Sequence, residues 1–147
     1  MSTSATRVFD GIFHELAARC DDEGYTIADD ADLDRWATNL GVTWLKALDL
    51  IGAELARRYH QGAVNYEFGD SVANDLEGIL ISRHQQVADG EWPRLFWEVY
   101  EAFDAGEFRR PKDGNADPVA LYTDPAIAEI VADLNYRPFG FSSTFFR

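Results

Sequence analysis

Cys20 is the only cysteine, so no disulfide can form within the chain. Cations are equally scarce. Thirteen Lys and Arg stand against 26 Asp and Glu, a net charge of −13. Acidity of this size repels nucleic acids and anionic membrane surfaces and favours cationic partners. No stretch approaches the ~18 uninterrupted apolar residues that would span a bilayer. Met1 to Thr6 are polar, with no basic run leading into an apolar one, so no secretory signal is read. The expected compartment is the cytoplasm. A Gly-rich phosphate loop, a Gly-x-Ser-x-Gly elbow and a Cys-x-x-Cys pair are all missing.

What is present is apolar mass. Hydrophobic residues make up 46% of the 147 residues and charged residues 27%, the balance of one globular domain with its own core. Their spacing is helical. Val8, Phe9, Ile12, Phe13, Leu16, Ala17 and Cys20 fall at alternating intervals of one and three, the stripe of an amphipathic helix. Ser4 or Thr6 can cap its start, and Gly24 suits the turn that follows. Leu33, Trp36, Ala37 and Leu40 predict a second helix over Asp30 to Leu40, stopped by Gly41. A third helix is predicted from Thr43 to His60, where Gly52 costs about 1 kcal/mol relative to Ala unless a neighbour must come close. A fourth is predicted from Ser71 to His84, capped by Asp70 or Ser71. Ile79, Leu80 and Ile81 would also suit a strand. Pro93 opens a fifth helix with Trp92, Leu95, Phe96, Val99, Tyr100 and Phe103 inward. Residues 109–118 read as a loop. Asp124 and Pro125 then read as the N-cap and first position of a last helix. Pro138 prevents that helix from continuing. The expectation is one all-α domain over residues 1–147, an irregular bundle of about six helices with an extended aromatic tail.

Three functional readings compete. The first is a protein that acts by binding another protein, as a regulator or inhibitor of a basic partner. Trp97 lies off the inner face of the fifth helix among Arg94, Glu98 and Glu101, and Phe139, Phe141, Phe145 and Phe146 give the tail more aromatic bulk than a terminus needs. Exposed aromatics anchor protein contacts. A tail folded back over the chain's own core would account for the same bulk, and a homodimer whose tails cross between copies would satisfy both readings. The acidic run Asp29, Asp30, Asp32 and Asp34 would steer association. It fails as an EF-hand loop, because Arg35 and Gly41 stand where a glycine and a glutamate are needed. It reads instead as charge at a helix N-terminus. No cofactor is expected.

The second reading is a metal-dependent or acid–base hydrolase. Asp70, Asn74 and Glu77 share one helical face, and His60 could join them across a cleft. The zinc pattern His-Glu-x-x-His is absent after His14 and Glu15. Cys20, on an apolar face with no base near it in sequence, reads as an inert thiol. The third reading is a transcription regulator. Asp32 to Ile51 runs helix, then Leu40-Gly41-Val42-Thr43, then helix, with Ala37 four residues before the glycine. It resembles the helix-turn-helix of small DNA-binding repressors, which implies that the helix after Thr43 enters the major groove. Only Lys46 could there neutralise a phosphate, so nucleic acid is not an expected partner.

Overall fold

The computed structural model describes residues 4–136, and these form six helices with no strand among them. The helices are α1 (Ser4–Ala18), α2 (Asp30–Leu40), α3 (Trp44–His60), α4 (Tyr66–Ser82), α5 (Arg94–Asp104) and α6 (Asp124–Tyr136). None is long and apolar enough to cross a membrane. The expected extended tail lies outside the described residues.

Most boundaries follow from local chemistry. Asp29 caps α2 by accepting from the Asp32 amide, and the Asp32 side chain accepts from the Asp29 amide in return. At the other end Gly41 takes φ +72°, and Val42 donates back to the Ala37 carbonyl. Thr43 then caps α3 through the amide of Lys46. The cap of α5 comes from elsewhere in the fold. Asp49 on α3 accepts from the Phe96 amide at 3.0 Å, and burial raises its pKa.

Three expectations are corrected. Helix α4 begins at Tyr66, one turn before Ser71, and its cap is Asn65, which accepts from the Phe68 amide. Asp70 and Ser71 therefore lie inside the helix. Ile79, Leu80 and Ile81 are helical, which removes the strand alternative, and His84 falls in the short 3₁₀ turn beyond Ser82. Asp124 is helical rather than a cap. A wide turn (Val119–Thr123) runs directly into α6, and Asp117 accepts from the Val119 amide at its start.

Helix α3 is the axis of the bundle and packs against α2, α4, α5 and α6. Its Leu48, Ile51 and Leu55 are wholly buried, as are Trp36, Phe96 and Phe103 from its neighbours. Burial of each such aromatic contributes about 2–3 kcal/mol. Gly52 is where α5 comes closest. A Cβ there would lie 3.2 Å from the Phe96 Cα. At Gly69 a methyl group would run into the Phe103 ring. The segment between α1 and α2 has no helix of its own and is fastened by side chains. Ser71 and Asp75 of α4 accept from the amides of Thr26 and Ala28, while the Thr26 hydroxyl donates to the Leu16 carbonyl.

Candidate functional site

The same crossing of α4 and α5 assembles a polar cluster. Residues 66, 70, 74 and 77 recur every three or four positions, so Tyr66, Asp70, Asn74 and Glu77 share one face of α4. Opposite them stand Tyr100 and Asp104 of α5, and Glu107 just past its end. The Tyr66 hydroxyl donates to the Phe103 carbonyl at 2.6 Å, and Asn74 donates to Glu107 at 2.7 Å. Asp70 lies between these two bonds, half-buried, with its Oδ1 out of contact with water and without a donor.

That arrangement sets the protonation. Burial, reinforced by the Glu107 carboxyl beside it, pushes Asp70 up to about 8. The Tyr66 hydroxyl works against that shift, as a smaller influence than burial or Glu107. Asp70 therefore keeps its proton to a higher pH than an ordinary aspartate does, next to Glu107. Glu77 and Asp104 are also raised, each first by desolvation. Burial likewise lifts both tyrosines, Tyr66 the further.

The residues named for the hydrolase reading are only partly neighbours. Asp70 and Asn74 come together, with Glu77 one turn further along the same face, and they gain Glu107, which sequence reasoning did not include. His60 does not join them. It is exposed at the end of α3 and lines a groove with Tyr59, Tyr66, Asp124 and Ile127; Asp70, Asn74 and Glu77 do not line that groove. No group of three or more His, Cys, Asp or Glu able to hold a metal occurs among the described residues.

The Asp29–Asp34 run has a structural role. Arg83 of α4 bonds Asp30 at 2.8 Å and Asp34 at 2.9 Å, and lies 5.0 Å over the Trp44 ring. Asp32 is paired with Arg19 and Arg35, which also grip Glu15. The Arg19 guanidinium holds the Asp32 carboxyl well below the usual carboxylate range. These cations neutralise much of the acidic run. The less compensated acid lies on α5 and the elements beside it.

Cys20 is half-buried, and its thiol faces the carbonyls of Leu16 and Gly24 rather than any base. The α2–α3 turn has the expected glycine, yet α3 is the central helix and not a projecting one. That placement gives the DNA-binding reading no support.

The aromatic face of α5 also differs from expectation. Trp92 and Tyr100 are half-buried rather than fully inward, and Trp97 lies against both. Its ring centroid is 5.3 Å from that of Trp92 and 5.0 Å from that of Tyr100. The three rings form a continuous, partly exposed row. Phe139, Phe141, Phe145 and Phe146 lie outside the described residues. No family model matches the chain, and no curated protein or solved structure is significantly similar to it.

Proposed function

We propose that this chain acts by binding a protein, either a basic partner or a second copy, through the outer face of α5. The observation that carries the reading is the row Trp92, Trp97 and Tyr100, three large contacting rings, the first pair edge to face and the second tilted, packed on the core and left partly exposed. Rings of this kind offer large rigid contact area at little entropic cost, and they dominate protein interfaces. Phe139, Phe141, Phe145 and Phe146 extend the contact in this proposal. Glu98 and Glu101 on the same helix favour a cationic partner.

Native mass spectrometry of the protein purified from its own cells tests this. A second polypeptide, or a second copy, is expected on the intact chain. It should be lost on Trp97→Ala or on truncation after Arg137, with the helical circular dichroism unchanged. A monomer in every case, wild type included, would refute the reading.

One observation favours a second reading, acid–base catalysis. Asp70 holds its proton near neutrality beside Glu107, a pairing suited to a general acid and its partner base. Under this reading the native mass carries a small molecule, and Asp70→Asn abolishes turnover of it.

A further inference from the structure

We infer that the groove between α5 and α6 receives a basic amphipathic helix of a partner protein. The inference rests on the protein-binding reading above and names the partner's chemistry. The groove has a volume of about 450 Å³. Ala105 at the end of α5, Tyr122 before α6, and Pro125 and Ala126 of α6 contribute its accessible apolar surface, over the buried Ala102 and Ile130, and the small residues let a partner backbone come close. Its rim is acidic: Glu98 and Glu101 on one side, Glu129 on the other. No Lys or Arg lines it. Arg110 approaches only the Tyr122 end, where its guanidinium lies 3.8 Å from that ring centroid and bonds the carbonyls of Ala105 and Phe108.

Charge identifies the occupant. None of the three glutamates takes part in an ion pair among the described residues, in contrast to the paired Asp30, Asp32 and Asp34. A helix with one apolar stripe and flanking Lys or Arg would cover the alanines and meet the glutamates on both rims. A second copy of the same face would set three glutamates against three others, which disfavours self-association through this groove. Trp97 stands one turn from Glu101, so a helix seated here would also touch the aromatic row.

The test uses the full chain and two labelled synthetic helices, one of leucine and lysine, the other of leucine and glutamate, followed by fluorescence anisotropy at two salt concentrations. The Leu/Lys helix should bind, more weakly at higher salt, and the Leu/Glu helix should not. Glu101→Lys with Glu129→Lys should weaken binding by about tenfold or more. The matched control, Asp22→Lys with Glu23→Lys on the remote α1–α2 segment, should change it by less than about threefold. Equal loss in both variants would show diffuse attraction to an acidic protein and overturn the inference. Binding that appears only after residues 137–147 are removed would assign the groove to the chain's own C-terminal segment and overturn it too. So would a dimer of the full chain that Glu101→Lys with Glu129→Lys dissociates. The native-mass experiment reads any assembly and the peptide titration reads only this groove, so the two proposals fail separately.

Discussion

Asp70→Asn should stabilise this protein in alkaline solution and leave it nearly unchanged in acid. An ordinary aspartate ionises at 3.8, whereas Asp70 in the fold is raised to about 8. The folded state therefore holds a proton that the unfolded chain releases. The sign follows: stability from this group is fully present below about pH 4 and is lost as pH rises toward 8. The full displacement would correspond to about 6 kcal/mol at 1.36 kcal/mol per pH unit. Because Asp70 is only half-buried, solvent screens much of it, and about 2 kcal/mol is the expected loss. An asparagine amide copies the neutral acid. It keeps a donor toward Glu107 and cannot ionise. Urea denaturation followed by tryptophan fluorescence at pH 5 and pH 8.5, at constant salt, measures the difference. The variant should match wild type within about 0.5 kcal/mol at pH 5 and exceed it by about 2 kcal/mol at pH 8.5. Carboxylates remote from Asp70 titrate in both proteins and cancel. An Asp70→Asn protein with the same offset at both pH values, or one less stable at pH 8.5, would refute the assignment of the proton.

Two further outcomes follow from the packing and the ion pairs. Asp32→Asn removes a capping carboxylate whose side chain is 9% exposed and leaves Arg19 and Arg35 with Glu15 alone. It should cost about 2–3 kcal/mol at pH 7 by urea denaturation. Asp32 has a depressed pKa, so its contribution is present above about pH 4 and disappears as pH falls further; the gap between variant and wild type should narrow there. Gly52→Ala should lower stability by about 1–2 kcal/mol although alanine is the better helix former. Its Cβ would press on the Phe96 backbone, which cannot rotate away as a side chain would. A rise in the denaturation midpoint would show that α5 yields at this crossing.

The parts of this fold that could be read from sequence are those in which local spacing and tertiary packing agree. Helix α2 is the clearest case: Asp29 and Gly41 bound it, and Leu33, Trp36 and Ala37 are buried as their spacing requires. The start of α4 was hidden because Asp70 and Ser71 carry a capping signal while Gly69 lies inside the helix. The glycine is there for the Phe103 ring, a demand made by a residue more than thirty positions away. The last helix begins where the Asp124–Pro125 pair places it, to within a residue; the turn before it, opened by Asp117, has no periodic signal in the sequence. On α5 the periodicity overstated burial at Trp92 and Tyr100, since spacing gives a face and not how far the neighbours extend over it. Asp70 and Asn74 were legible as one helical face. Glu107 was not, because it reaches them only through the crossing of α4 and α5.

Glu107 also separates the two causes acting on Asp70. Burial is the larger and the neighbouring carboxyl the second. Glu107→Gln removes the like charge, offers an amide donor in its place, and leaves Asp70 under the same α4–α5 packing. The alkaline gain from Asp70→Asn should therefore persist in a Glu107→Gln background, reduced by less than about half. A double-mutant cycle at pH 8.5 gives that number. If the gain vanished with Glu107 replaced, repulsion between the two carboxyls would be the main cause, and the pair would be a shared-proton dyad rather than one acid held neutral by burial. That outcome would also strengthen the catalytic reading, because a dyad can be singly protonated over a wide pH range, while a persistent gain ties the proton of Asp70 to the packing of α4 against α5.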